Sequence, residues 1–131
     1  MTASEVIEFV NRKKDGILAS VKASGKPHVS WVLLAYLDCR LYTTQSPLSV
    51  AYRNLLERPR VAIAITVSST GVFIEGRARS LGTADKLRST GLARIEVWSE
   101  AHRRTGRWLP SDYEGYVFEI TIQRILTYNP T

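Results

Sequence analysis

Cysteine is nearly missing from this chain: a single residue, Cys39, among 131 rules out an internal disulfide and with it a disulfide-held scaffold. Histidine is almost as scarce. His28 and His102 stand too far apart in sequence for local metal-ligand spacing, so no metal site is expected. Long apolar runs are missing too. The longest, Trp31 to Leu37, falls well below the roughly 20 residues that a membrane-spanning helix needs. The N-terminus carries no apolar run leading to a small-residue cleavage site. The expectation is a soluble, cytoplasmic protein without a membrane partner.

What is present fits one compact unit. A chain of 131 residues that is 44% hydrophobic can bury a core of its own and is too short for two ordinary domains. Residues 1–131 are therefore read as a single domain. With 18 Lys and Arg against 12 Asp and Glu, the net charge is +6, which suits phosphate-bearing partners in general and names none. The basic clusters, Arg12 to Lys14 and Arg103, Arg104 and Arg107, read as solvated faces.

Periodicity divides the chain into short elements. Thr2 stands three residues before Glu5, the spacing of a reciprocal capping box, and Val6, Ile7, Phe9 and Val10 share one helical stripe. A first helix ends near Gly16. Strands are expected over Ile17 to Val21, His28 to Leu37, Arg40 to Thr44, Arg60 to Val67, Val72 to Leu81 and Tyr116 to Tyr128. Gly25-Lys26-Pro27, Asp38-Cys39 and Ser68 to Gly71 supply the turns. Ser46-Pro47 reads as the N-cap and first position of a second helix that stops before Pro59. Thr83 can cap a helical stretch that continues to Gly106. Cys39 is taken as a small buried residue, His28 as exposed, and Glu75 as the ion-pair partner of Arg77.

The long second strand is apolar on both sides, with Val29, Trp31, Leu33 and Leu37 alternating with Val32, Leu34 and Tyr36. A small barrel has one interior to fill, so the other face calls for a second subunit. In the fourth strand, large Val61, Ile63, Ile65 and Val67 alternate with small Ala62, Ala64 and Thr66. The small row suits close approach of another surface or a flat ligand.

The most specific chemistry lies in Tyr42 to Ser49, where a strand end passes through hydroxyl and amide side chains into a helix start. Free amides of a first helical turn and the positive end of its dipole favour an anion, and Thr43, Thr44, Ser46 and Ser49 can add hydrogen bonds. The same residues are equally explained by capping and strand formation alone.

Taken in order, Leu18-Ala19-Ser20, Gly25 to Val29, Leu41 to Thr44, Tyr52 to Leu55 with Arg58 to Val61, Ile74 to Ala78, and Tyr116 to Ile120 resemble the split β-barrel flavoproteins related to pyridoxamine 5'-phosphate oxidase. That resemblance implies a mainly β (α+β) fold: a six-stranded antiparallel split β-barrel with flanking helices. It further implies an FMN-binding oxidoreductase acting on a small organic substrate, working as a homodimer with the cofactor at the subunit interface. By position, Thr43, Thr44 and Ser49 would meet the phosphate, Ser30, Trp31 and Val32 would run along the ring, and Arg53 would add positive charge. Ala51 stands where the family usually has lysine, and Ser30 and Ala35 stand where it has a basic residue in the second strand.

No catalytic residue can be named, because a flavin itself carries hydride chemistry. The alternative from another class is a non-enzymatic protein that binds or senses a flavin, an 8-hydroxy-5-deazaflavin coenzyme or haem on the same scaffold. Nucleic acid is not expected as a partner, since aromatic and basic residues do not interleave on one strand face.

Overall fold

The computed structural model describes residues 1–37, 39–83 and 116–130. Thr2 caps helix α1 (Ala3–Lys13) through the reciprocal box, its hydroxyl accepting from the Glu5 amide at 3.2 Å. Val6 and Val10 are buried on its apolar face. The helix stops at Lys14, which adopts φ 65° and donates its amide to the Val10 carbonyl. Strand β1 (Asp15–Val21) follows at once.

Strand β2 (Pro27–Leu33) folds back on β1, and β3 (Ala35–Leu37) pairs with β4 (Arg40–Gln45). Helix α2 (Val50–Glu57) leads to β5 (Arg60–Val67), β6 (Thr70–Thr83) and finally β7 (Tyr116–Tyr128). All pairings are antiparallel, in the order β2-β1-β5-β6-β7-β4-β3. The sheet curls into a half-barrel with two helices among the described residues, a split-barrel fold.

Six strand runs in the sequence become seven strands because the second is cut at Leu34. The Leu34 amide bonds to the Lys14 carbonyl at 2.8 Å instead of to a strand. Beyond it, Asn11 of α1 accepts from the Tyr36 amide and donates to the Tyr36 carbonyl. The helix end thus turns one apolar run into two strands at opposite edges of the sheet. A second difference lies at α2, whose N-cap is Ser49 and not Ser46. The β5–β6 turn is shorter than its glycine suggests: Val67 already pairs with Thr70, and Gly71 lies inside β6 opposite Thr66.

The concave side holds the core, including Leu18, Val32, Leu34, Leu41, Leu55, Ile63, Ile65, Ile74, Phe118 and Ile120. Strand period places the alternate residues outside. Helix α2 is held against this core by a polar bridge, Asn54 Nδ2 donating to the buried Ser20 hydroxyl at 3.0 Å and Arg58 Nε donating to the Val21 carbonyl at 2.7 Å. Among the described residues no helix is long and apolar enough to cross a membrane. The expected helical stretch to Gly106, with Trp98, His102, the arginines at 103, 104 and 107, Trp108 and Tyr113, lies outside the described residues. Thr83 itself ends β6, paired with Tyr116. Cys39 is exposed in the β3–β4 turn at φ 64° and not buried, and His28 is half-buried.

Candidate functional site

The residues singled out in the sequence divide between the two faces of the sheet. Ser30 lies opposite Leu18 and Thr43 opposite Phe118, and both of those neighbours are fully buried core residues. Ser30, Val32 and Thr43 therefore point inward, whereas Trp31 and Thr44 point outward by strand alternation. Curling brings β2 towards β4 and packs α2 against both β1 and β2. Ser30 and Thr43, far apart in strand order, thereby belong to the same concave side.

Both hydroxyls are unusual. Ser30 Oγ and Thr43 Oγ1 are buried and have no hydrogen-bond partner among the described residues. A buried hydroxyl left unpaired costs about 1–3 kcal/mol, so a pair on one side of the barrel calls for an explanation. Strand β4 ends beside α2. Tyr52, in the first turn of α2, stacks against Tyr116 at 4.9 Å and against Phe118, the neighbour of Thr43, at 5.9 Å.

The serines of the bend are engaged otherwise. Ser49 Oγ accepts from the Tyr52 amide at 3.1 Å and donates to the Ser46 carbonyl at 2.8 Å, while Ser46 Oγ accepts from the Leu48 amide at 3.2 Å. Ser49 caps the helix, and Ser46 closes the turn before it. The amides of Val50 and Ala51 come before any possible intrahelical acceptor and are the backbone donors of the site. Ala51 is buried, Arg53 is exposed on α2, and no acidic side chain lies in the first turn. Burial raises the Tyr52 phenol above its ordinary 10.0, and neighbouring Tyr116 adds to the rise.

The outer face carries a different feature. Across four pairings, Trp31, Ile17, Ala64, Phe73 and Leu126 form one row, and Val29, Ala19, Ala62, Glu75 and Arg124 form the next. The alanines floor a groove of about 270 Å³ walled by Ile17, Val29, Phe73 and Leu126. Trp31 and Val29 stand 54% and 64% exposed. The small row read in β5 thus does face outward. Glu75 lies across from Arg124, and among the described residues it makes no ion pair with Arg77.

Sequence reasoning missed the Ser20–Asn54 bridge and the tyrosine pair. Both depend on which strand faces which helix, and no local pattern encodes that. No group of side chains that could hold a metal ion occurs among the described residues.

A model of the pyridoxamine 5'-phosphate oxidase family matches residues 2–129. An FAD-binding protein from Mesorhizobium loti is 25% identical and superposes with a TM-score of 0.74, covering 95% of this chain and 92% of its own. An F420 reductase, 18% identical, superposes at 0.70 over 91% of this chain and 94% of its own. A haem storage protein from Vibrio cholerae, 19% identical, does so at 0.70 over 95% and 92%. Among curated proteins none matches the chain.

Proposed function

We propose that this chain, which belongs to the pyridoxamine 5'-phosphate oxidase family, is an FMN-binding oxidoreductase that acts as a homodimer on a small organic substrate. One observation carries the reading. The two buried hydroxyls that lack a partner among the described residues, Ser30 Oγ and Thr43 Oγ1, are both among the residues that the family resemblance selects for cofactor contact. Each offers one donor and two acceptor positions, so both suit a polar ligand better than an apolar core.

In this reading Thr43 and the Val50 and Ala51 amides hold the phosphate, and Ser30, with the backbone of Trp31 and Val32, borders the ring. Ser49 sets the start of α2 and so aims those amides. Thr44 and Arg53 act from outside, Arg53 as a nearby positive charge. A bound flavin supplies hydride transfer; the protein binds it, orients it and keeps water away. The second subunit covers the outer row of Trp31, Ile17, Ala64, Phe73 and Leu126, since an exposed apolar row of this length is a common mark of an interface.

A second reading, a protein that stores or senses a flavin, a deazaflavin or haem, is favoured by the buried Ala51. Without a cation there, affinity rests on neutral donors. The visible spectrum of the purified protein separates the two, because flavin, deazaflavin and haem have distinct bands. A flavin spectrum, or one restored by adding FMN, supports the first reading. Tight haem binding with no response to FMN or deazaflavin rejects it.

A further inference from the structure

Two arginines face each other on the outer sheet with no ion pair to any other described residue. Arg60 of β5 is the direct register partner of Arg77 of β6, and both side chains are exposed. Like charges directly opposite across a pair of strands destabilise it. Two other arginines of this face, Arg79 and Arg40, both reach Glu119, at 3.0 Å and 3.4 Å. Glu75, on the same face, stands directly across from Arg124. Arg60 and Arg77 have no ion pair among the described residues.

Arg60 stands at the edge of a hollow, and Arg77 faces it from the next strand. A depression of about 310 Å³ is lined by Ala19, Pro27, Arg60, Ala62, Glu75 and Gln123, among others. The register shift between Glu75 and Gly76 leaves Gln123 unopposed, and such a bulge re-aims a side chain. Here it adds an amide donor at the rim.

We propose that Arg60 and Arg77 form an anion clamp for the phosphate of a small phosphorylated ligand whose organic part lies in this hollow. Each guanidinium presents five donors in a planar fork. Two of them match a phosphate monoester, which carries about −1.5 to −2 at neutral pH, and favour it over a carboxylate of single charge. The clamp lies on the convex side of the sheet, apart from Ser30 and Thr43. It therefore stands whether or not those residues hold a flavin.

The test is calorimetric titration of the full chain with phenyl phosphate and with inorganic phosphate, at ionic strength held constant with chloride. Arg60→Gln and Arg77→Gln are compared with Arg12→Gln, a change at an exposed α1 arginine paired with Glu8. Each clamp variant should weaken phosphate binding at least tenfold, the loss expected of one charged hydrogen bond, while Arg12→Gln leaves it unchanged. Tighter binding of phenyl phosphate than of inorganic phosphate assigns the hollow to the organic part; equal binding limits the clamp to the phosphate group. As a readout independent of ligand, either clamp variant should raise the melting temperature at low salt by removing the repulsion. Phosphate binding equally weak in all proteins overturns the proposal. So does a clamp variant that turns a dimer into a monomer without changing phosphate affinity, since the arginines would then be interface contacts.

Discussion

The side chain of Asn11 completes the backbone of Tyr36, its Oδ1 accepting from the Tyr36 amide at 3.0 Å and its Nδ2 donating to the Tyr36 carbonyl at 3.4 Å. One amide side chain on α1 thus does for β3 what a neighbouring strand would do. It also ends the sheet at that edge. Asn11→Leu should cost about 1–3 kcal/mol, because it leaves the half-buried Tyr36 amide and carbonyl without these partners. Asn11→Asp, which keeps only the acceptor, should cost less. Urea unfolding of both variants measures this, and equal stability of all three proteins would show that the clasp carries no weight.

Gly76 leaves no room for a side chain. A Cβ there would collide with the Thr121 carbonyl oxygen and lie 2.9 Å from Ile120 Cγ2. Backbone cannot yield as a flexible side chain can. Gly76→Ala is therefore expected to destabilise by about 1–3 kcal/mol, the usual range for overpacking, as read from thermal unfolding. Gly25→Ala makes a useful contrast. There a Cβ meets nothing within 4 Å and only the φ of +86° is unfavourable.

Alkaline pH should weaken the fold through its tyrosines. Burial holds Tyr52 and Tyr36 above 10.0, Tyr116 assisting the first and Cys39 the second. The folded state then keeps protons that the unfolded chain releases, so stability is intact below the ordinary tyrosine range and falls as pH rises through and above 10. Melting temperatures measured between pH 8 and 11 should decline less in Tyr52→Phe than in the parent. An identical slope would contradict the raised value.

Helix α1 was legible because the Thr2–Glu5 box is local, and the strand faces were legible because alternation is local. Thr43 and Thr44 must lie on opposite sides, as must Ser30 and Trp31, once the strands exist. The cut at Leu34 was not legible. Nothing within Trp31 to Leu37 signals that a helix end elsewhere will take one of its amides. Pro47 pointed to Ser46 as the cap of α2, but a local turn engages the Ser46 hydroxyl with the Leu48 amide and Ser49 caps the helix instead. The Arg60–Arg77 confrontation needed the register of β5 on β6, which the turn at Ser68 and Ser69 fixes.

The outer groove yields a prediction about assembly. Trp31→Asp places a charge in its apolar row, and in sedimentation should shift the protein from two chains to one. Because Trp31 is exposed in the single chain, the circular dichroism of the variant should stay unchanged. A variant that remains dimeric would move the interface elsewhere.

The most direct measurement is flavin affinity set beside stability in Thr43→Val. Removing a buried, unpaired hydroxyl should stabilise the ligand-free protein by about 1 kcal/mol, and loss of the phosphate contact should weaken FMN binding about tenfold, read by quenching of flavin fluorescence. A variant that is both more stable when empty and poorer at holding FMN is the result the account predicts. A variant that loses stability while binding FMN as the parent does would contradict it, and so would a parent protein that binds no flavin.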